Sequence, residues 1–390
     1  MTRRLRLGRV VLPLLLLLAA CAEDAPQDTL EPKGPIAREI DNLVNPVFIV
    51  AGVVFVIVEF GMLFLLWRFR RRKDDDDTTA PAQIHGSSVL EWGWTIVPAL
   101  ILLFVGIGTV ATVFAVQAKA DDTTMSVEVI GQQWWWEFRY DTDGDGETDI
   151  VTANDLVVPA GQAIGLDVQS RDVIHSFWIP ALNGKKDAVP GRTHELVVEA
   201  DEPGTYVGQC TEYCGLSHAY MRQRLVALSE PDFEAWVANQ VEDADMPSDG
   251  DAAAGADLFT TTCSSCHLAR GVNDDEFAEE VEANPVAPGS AFVEPGVAPD
   301  LTHFATRGAF AGATFDLWVD QDDDAVVDWD EITGDGAQLN RDDLEAWLRD
   351  PPAEKPMAAT LDDPHSRGMP NYNLSEEQID LLVTFLETLD

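Results

Sequence analysis

The chain has 390 residues, 46% of them hydrophobic, and this length leaves room for two or three domains. Its net charge is −43, with 68 acidic residues against 25 basic ones, which excludes a nucleic-acid-binding protein because phosphate recognition needs clustered Lys and Arg. From residue 250 to the C-terminus 31 acidic residues face six basic ones, an excess that indicates a solvated surface, adaptation to high salt, or docking of a basic redox partner.

The N-terminus has the pattern of an export signal. Four arginines within the first nine residues precede an apolar run that ends at Ala20, and Cys21 follows. We therefore predict a signal peptide over residues 1–20. The segment Leu18–Cys21 resembles the bacterial lipoprotein signal, which implies lipidation of Cys21. The alternative is an ordinary signal peptide with an incidental cysteine.

Two apolar stretches, Pro46–Trp67 and Trp94–Val116, predict membrane-spanning helices, since each has the roughly 20 residues that a bilayer requires. Five basic residues between positions 68 and 73 place the connecting loop in the cytoplasm, so both outer ends and everything after Lys119 lie outside it. We predict an N-terminal segment and helical hairpin over residues 21–120, in a multi-pass protein of the bacterial cell (inner) membrane. The alternative is a pair of buried core helices.

The next region, residues 121–240, alternates short apolar and polar runs, a pattern typical of a β-sandwich or barrel. Turn residues such as those at 159–161 and 203–204 separate the runs. The predicted strands are Ser126–Ile130, Asp155–Val158, Ile164–Val168, His194–Val198 and Thr205–Gln209.

This region contains five side chains of the types that bind copper: His175, Cys210, Cys214, His218 and Met221. A single-copper electron-transfer site uses two His, one Cys and a weakly bound Met. A second thiolate four residues after the first lets two sulfurs bridge two metal ions, so the set predicts a dinuclear copper centre. The alternatives are a disulfide between the cysteines or a zinc site, although zinc leaves the Met unexplained.

The C-terminal region contains the haem-attachment motif Cys263-Ser-Ser-Cys266-His267, in which two thiols bind haem c covalently and the His is an axial ligand. We predict a linker over residues 241–257 and a cytochrome c domain over residues 258–390. Met369 is the predicted sixth ligand, because its Gly-Met-Pro segment and the following helix resemble the distal loop and last helix of small c-type cytochromes. Met357, which follows a Lys-Pro pair, is the alternative.

Together these motifs resemble subunit II of cytochrome c oxidases, in the caa-type arrangement with a fused C-terminal cytochrome c domain. The resemblance implies a multidomain fold: a two-helix transmembrane hairpin, a cupredoxin-like β-sandwich and an all-α cytochrome c domain. It also implies that the five donors bind the copper pair and that the Glu212 carbonyl is a further ligand. The Glu212 side chain would help to hold magnesium against subunit I.

Two further residues take their roles from the same resemblance. Trp134, in the aromatic segment Gly131–Glu137, is the point at which electrons enter the copper domain. Glu91, near the start of the second helix, is a candidate for the mouth of a proton channel in subunit I. Without the resemblance, the tryptophans could form a packed aromatic cluster, and Glu91 could be an acid favoured by the helix dipole.

The function that the resemblance implies is electron acceptance within a haem–copper terminal oxidase. The haem would receive electrons from a quinol-oxidising complex or a soluble cytochrome. The copper pair would pass them to subunit I, which reduces oxygen and pumps protons in a complex that also contains subunit III. The alternatives are the copper subunit of a nitric oxide reductase and a non-catalytic copper-delivery or redox-sensing lipoprotein.

Two acidic loops match part of the calcium-loop pattern. The first, Asp141–Asp149, lacks a Glu at the twelfth position. The second has that Glu but carries Ala325 where such loops need Gly. Its candidate ligands are Asp320, Asp322, Asp324, Asp328 and Glu331. An acidic surface turn is the alternative for both loops.

Overall fold

The computed structural model describes residues 26–70, 85–117, 123, 125–273, 298–320, 326–334, 336–361 and 367–390. The predicted signal peptide and Cys21 lie outside these residues, as do Asp322 and Asp324 of the second acidic loop. Lipidation and the centre of that loop therefore stay predictions.

Two long helices form the N-terminal part: α1 spans Pro35–Arg68 and α2 spans Ser88–Gln117. Both are long and apolar enough to cross a membrane, and each extends beyond the predicted apolar span at both ends. They pack against each other. Gly108 of α2 permits a close approach, because a Cβ there would lie 3.1 Å from Leu43 of α1.

The start of α1 is attached to the β-sandwich that follows. Asp201 N donates to Lys33 O (2.9 Å), and Arg38 forms an ion pair with the Asp201 carboxylate. A Cβ at Gly34 would overlap the carbonyl oxygen of Glu199, so only glycine allows the chain to pass here. These contacts set the position of the hairpin relative to the sandwich.

The region after the hairpin folds into two packed β-sheets, which confirms the predicted sandwich. In chain order, β1 to β10 span Met125–Gln132, Trp135–Tyr140, Ile150–Ala153, Asp155–Pro159, Ile164–Ser170, His175–Phe177, Lys186–Ala188, His194–Val198, Gly204–Gln209 and Arg222–Leu228. One sheet has the strand order β3-β2-β1-β5-β8 and the other has the order β4-β10-β9. β6 and β7 pair separately as a short ladder.

The core of the sandwich lies between these sheets. Alternate residues of β5 are buried, as expected for a strand with one face on a core: Ile164, Leu166 and Val168. α3, spanning Glu230–Gln240, follows β10 and places Trp236 against Tyr140, with ring centroids 5.3 Å apart. The Tyr140 hydroxyl donates to Val157 O (3.1 Å), which satisfies its polar end inside the core.

The C-terminal domain is mainly helical, and α4 to α8 span Gly250–Thr262, Trp329–Thr333, Arg341–Arg349, Pro351–Glu354 and Glu376–Leu386. α4 and α8 cross at Gly255, where a Cβ would overlap Leu381 O and lie 2.7 Å from Phe385 Cβ. One short ladder, between β11 (Ala309–Phe310) and β12 (Phe315–Asp316), interrupts the predicted all-α domain.

The segment 241–257, predicted to be a linker, makes ordered contacts. Its second half is the start of α4, and Ala244 is buried and donates its amide to Arg270 O (3.0 Å). A Cβ at Gly271 would overlap Ala244 O. The Ala-rich composition that indicates a linker is equally suited to a helix start and to close packing.

Candidate metal and haem site

The five predicted copper-binding side chains converge in one cluster. Cys210 Sγ and Cys214 Sγ lie 3.8 Å apart, and Cys214 Sγ is 3.5 Å from His218 Nδ1 and 3.8 Å from Met221 Sδ. A ring nitrogen of His175 and the two sulfurs all lie within 4.8 Å of one another. The segment between β9 and β10 supplies four of the donors, and the first residue of β6 supplies the fifth.

The two sulfurs have a further donor beside them, since Cys210 Sγ is 3.2 Å from Glu212 O. Both cysteines are free, which does not support the disulfide alternative. Six donors also exceed the four that structural zinc uses. Side-chain hydrogen bonding between the sulfurs lowers the pKa of Cys210 and raises that of Cys214, so one thiolate is available before a metal binds.

The position of His175 is set by Asp172. His175 Nε2 is 2.8 Å from Asp172 Oδ1, so the ring donates from this nitrogen. Its Nδ1 is buried and has no hydrogen-bond partner among the described residues. An orphaned buried nitrogen is costly, and an acidic partner on the far nitrogen is usual for a His that binds a metal. A metal ion therefore fits at Nδ1. A role for Asp172 was not predicted from the sequence. The only signal there is its position, three residues before the candidate ligand His175.

Trp134 touches the backbone of the copper-binding segment. Its Nε1 donates to Cys214 O (3.2 Å), and the Gln133 side-chain amide donates to the same oxygen (2.7 Å). The ring packs on Gly215, where a Cβ would lie 3.2 Å from Trp134 Cζ2. Trp136, by contrast, is fully buried in the sandwich core. Trp134 therefore contacts the backbone of the candidate site, whereas Trp136 packs edge-on against the candidate ligand His175, with ring centroids 5.9 Å apart.

A buried ion-pair network supports this aromatic segment. Glu137 is 3% exposed and pairs with Arg139 (2.6 Å) and Arg171 (3.2 Å). Burial by itself would raise the pKa of Glu137, but attraction to Arg171 and Arg139 outweighs it and leaves the pKa lowered. The Gln132 amide also donates to Glu137 (3.1 Å). The network thus connects Gln132, which precedes the Gln133–Trp134 turn, with Glu137, which follows it.

A cavity of about 240 Å³ lies between the sandwich and the C-terminal domain, and its lining includes Cys263, Cys266 and His267. His267 Nδ1 is 2.8 Å from Pro299 O, so it donates there and leaves Nε2 for an iron ion. Burial lowers the pKa of His267, which favours the neutral ring that ligation requires.

Both candidate methionine ligands line this cavity. Met369 packs against the core of the C-terminal domain, whereas Met357 packs against the core of the sandwich. A Cβ at Gly368 would overlap Met357 Sδ, so the two methionine segments are in contact. The packing within the haem-attachment domain favours Met369.

One buried guanidinium also lines the cavity. Arg307 is 5% exposed and donates to Asp300 O, but its Nε has no hydrogen-bond partner among the described residues. A buried unsatisfied donor indicates an acceptor that occupies the cavity, and the carboxylates of a haem fit this requirement. Sequence reasoning missed Arg307.

Lys355 connects the two domains at the edge of the same cavity. Its side chain is 3% exposed, and Nζ donates to Trp134 O and to Ala311 O, both at 2.8 Å. Burial lowers the pKa of Lys355 to about 7. In the sequence Lys355 lies two residues before Met357, and no nearby residue pattern predicts its contact with Trp134.

Three family models match the chain: the transmembrane domain of cytochrome c oxidase subunit II over residues 29–111, the periplasmic domain of that subunit over residues 145–227, and cytochrome c over residues 252–390. Cytochrome c oxidase subunit 2 of Alkalihalophilus pseudofirmus is 32% identical over 384 residues, which cover 96% of this chain and 94% of the relative. The chain belongs to the cytochrome c oxidase subunit 2 family.

Two other proteins are similar to the chain. Cytochrome c oxidase subunit 2 of Bacillus sp. (strain PS3) is 30% identical over 392 residues, with 96% of this chain and 94% of the relative covered. The crystal structure of the periplasmic domain of subunit II of cytochrome oxidase of Bradyrhizobium japonicum is 30% identical, and the match covers 30% of this chain and 94% of that chain with a TM-score of 0.28.

The protein is thus a subunit II of a haem–copper oxidase with a fused cytochrome c domain. It is anchored in the membrane by its helical hairpin and carries its copper centre and its haem in periplasmic domains. Membership confirms the predicted family and does not support the alternative of a free-standing copper-delivery lipoprotein.

Two predicted residues of this subunit II have side chains that do not join the metal donors. Glu91 lies in the first turn of α2 and is exposed. The Glu212 side chain is exposed as well, and its Oε1 accepts from Tyr213 N (3.2 Å). Both carboxylates are exposed, and their contacts with subunit I stay predictions.

The two acidic loops differ in what their carboxylates do. Asp141, Asp143 and Asp149 bring carboxylate oxygens within 4.8 Å of one another. In the second loop, Glu331 accepts from the Asp328 amide (3.0 Å) in a capping box at the start of α5. The Glu that matches the twelfth calcium-loop position therefore has a structural role at a helix start. Calcium binding at either loop stays a prediction.

Proposed function

We propose that this subunit accepts electrons at a c-type haem and passes them through a dinuclear copper pair to subunit I, where oxygen is reduced and protons are pumped. The observation that carries the proposal is the convergence of five side-chain donors and one carbonyl around the orphaned Nδ1 of His175. Trp134 contacts this cluster and also borders the haem cavity. One polypeptide therefore contains the whole path from haem to copper.

The residues that would hold the copper pair are Cys210, Cys214, His175, His218, Met221 and the carbonyl of Glu212. A bound copper pair supplies one-electron redox chemistry. The two sulfurs, 3.8 Å apart, would hold the copper ions, and Asp172 orients the His175 ring by binding its Nε2. Both cysteines are almost fully buried, which excludes water from the sulfurs.

The haem would be attached through Cys263 and Cys266, with His267 and Met369 as axial ligands. A haem with a His/Met pair supplies one-electron chemistry at a raised potential. Pro299 orients the His267 ring through its carbonyl, and Arg307 would donate to a haem carboxylate.

The partners belong to the same proposal. Subunit I would contact the exposed Glu212 through magnesium and would lie beside Glu91 at the mouth of its proton channel, with subunit III completing the complex. The electron donor would be a quinol-oxidising complex or a soluble cytochrome. The bacterial inner membrane is the proposed location, with a lipid on Cys21 as a further anchor. Family membership favours oxygen over nitric oxide as the final acceptor.

The proposal is tested on the purified full-length subunit by metal and haem analysis with electron paramagnetic resonance. We expect two copper ions and one haem per chain, with a copper signal in which one electron is shared by two nuclei. Cys214→Ser should abolish this signal and leave the haem absorption intact. Tyr213→Phe, an exposed change in the same segment, is the control and should alter neither. Zinc, or one copper per chain, would refute the assignment.

A further inference from the structure

The copper domain (residues 125–240) and the haem domain (residues 250–390) are joined by buried polar contacts. Lys355 of the haem domain donates to Trp134 O of the copper domain and to Ala311 O of its own domain, both at 2.8 Å. At 3% exposure the Lys355 amino group depends on these acceptors, because a buried polar group without hydrogen bonds is costly. The contact therefore opposes separation of the domains.

A second buried contact lies on another part of the interface. Arg224 of the copper domain forms two hydrogen bonds of 2.8 Å with Asp155, and Asp155 Oδ2 also accepts from Gly308 N of the haem domain (2.8 Å). Arg224 Nη1 is 3.6 Å from Asp316, also of the haem domain. Arg224 and Asp155 are 4% and 3% exposed, so salt screens this pair far less than it screens surface charges.

Two glycines of the haem domain lie where any side chain would prevent this fit. A Cβ at Gly308 would overlap the guanidinium of Arg224. A Cβ at Gly312 would overlap Lys355 Nζ and lie 2.6 Å from Trp134 O, and Gly312 has a φ of +73°. The backbone of the haem domain therefore approaches the copper domain too closely to leave room for a side chain at either glycine.

The docked arrangement covers Trp134, which is only 6% exposed. Arg222 N of the copper domain donates to Gly312 O (2.9 Å), and Thr314 donates to Tyr220 O (2.9 Å), so backbone contacts continue beside it. The indole borders the cavity that contains the haem-attachment cysteines. A soluble donor cannot reach Trp134 while these contacts hold, whereas the fused haem would lie against it.

We propose that Lys355 and the Arg224–Asp155 pair lock the haem domain onto the copper domain, so that Trp134 accepts electrons only from the fused haem. This inference rests on the proposed function, since it concerns how electrons reach the copper pair. The haem domain is then a fixed part of the path and not a tethered donor that docks transiently. Soluble donors reduce the haem and do not reduce the copper pair directly.

The test compares Lys355→Met with the wild type in the full-length subunit loaded with copper and haem. After rapid photoreduction of the haem, the rate of copper reduction is followed by absorption at several solvent viscosities. The wild-type rate should be independent of viscosity. In Lys355→Met it should fall about tenfold or more and become viscosity-dependent, because a flexible tether supplies only a millimolar effective concentration. Lys185→Met, which makes the same substitution at an exposed position, should match the wild type.

A second readout does not depend on electron transfer. Amide hydrogen exchange of Arg222 and Gly308, whose N–H groups are bonded across the interface, should be slow in the wild type and faster in Lys355→Met. Unchanged exchange and an unchanged rate, with both centres present, would overturn the lock. Absence of either centre from the wild type would instead refute the proposed function, which separates the two failures.

Thr314→Val is the milder variant in case Lys355→Met does not fold. It removes one hydroxyl, which lies 2.9 Å from Tyr220 O across the interface and 2.9 Å from Ala311 O within the haem domain. Exchange at Arg222 should accelerate, by a smaller factor than in Lys355→Met. The inference would fail if Thr314→Val folds and shows wild-type exchange, and if the rate of copper reduction depends on viscosity in both this variant and the wild type. Those results would show that the haem domain swings freely.

Discussion

At the scale of single residues, the metal site depends on a side chain that is not itself a ligand. Asp172 holds His175 by one oxygen, while its other oxygen accepts from Gln133 N (2.7 Å). One carboxylate thus links a copper donor to the turn that presents Trp134. Because the orientation of a metal-binding imidazole is set by the partner of its second nitrogen, Asp172 should control copper retention.

We expect Asp172→Ala to lower copper affinity by about 10- to 100-fold, the usual cost of losing such a partner. Asp172→Asn keeps an oxygen that can accept from His175 Nε2 and should lose less. Copper content after dialysis against graded chelator measures the difference. Equal retention by both variants and the wild type would show that His175 is held by other contacts.

A second prediction at this scale concerns Glu137. Its pKa is lowered in the folded protein, so it stabilises the fold above its unfolded value of about 4.3, and this contribution is lost as the pH falls through the lowered folded value. Replacing one partner of a buried ion pair typically costs about 3–5 kcal/mol. Glu137→Gln should therefore lower the melting temperature at neutral pH. Below about pH 4.3 the melting temperature of this variant should fall less steeply with falling pH than that of the wild type.

The melting temperature of the detergent-solubilised protein, followed by tryptophan fluorescence across this pH range, tests the expectation. Glu195→Gln is the matched control, because Glu195 is exposed on β8 and lies outside the network. A pH profile of Glu137→Gln that is parallel to the wild type would show that Glu137 carries no charge-dependent stabilisation.

At the scale of elements, the haem domain depends on the crossing of α4 and α8. Alanine in place of glycine usually stabilises a helix interior by roughly 1 kcal/mol. At Gly255 the added Cβ would overlap Leu381 O, a backbone atom that can move only with its helix. Forced overpacking costs about 1–3 kcal/mol, so the steric effect outweighs the helix propensity.

Gly255→Ala should therefore lower the thermal stability of the haem domain, measured by loss of the haem absorption on heating. Ala254→Ser, which adds one atom at an exposed position of the same helix, should have little effect. A more stable Gly255→Ala protein would mean that α8 shifts to accept the methyl group and that propensity decides the sign.

The elements that the sequence predicts are those whose hydrophobic residues form a long run or recur with a clear period. The alternating strands, such as His194–Val198, match the observed strands closely, and each apolar span lies within a longer observed helix. β2 and β10 were not predicted, because β2 is buried at all but one position and β10 at all but its first, so neither shows alternation.

The donors of the candidate site could be predicted because each motif is short and rich in reactive side chains, as in the segment from Cys210 to Met221. Asp172 has only a weak local signal. Arg307 and Lys355 have none, since their roles come from a cavity and from an interface between residues far apart in sequence. The contact of Lys355 with Trp134 joins residues that only the docking of two domains brings together.

At the scale of the whole molecule, the net charge of −43 sets the response to salt. Most of the acidic excess lies on the haem domain, where its basic residues are few, so like charges repel across that surface. The interface between the domains relies instead on buried groups, among them Lys355 and Arg224. Salt should therefore act on the surface of the haem domain and leave the docking contacts largely unchanged.

Raising the salt concentration from about 0.1 M to about 1 M shortens the Debye length from roughly 10 Å to roughly 3 Å and screens the repulsion between surface carboxylates. We expect the melting temperature of the haem domain to rise, while the rate from haem to copper stays constant because the contacts that hold the two domains are buried. Sucrose at equal osmolality, which screens no charge, is the control.

The same titration separates the interpretations of the acidic surface, since a docking role for a basic donor predicts a steep fall in the rate of haem reduction by that donor. A melting temperature that is flat or falls with salt would contradict salt adaptation and leave a solvated surface or docking as the reason for the charge.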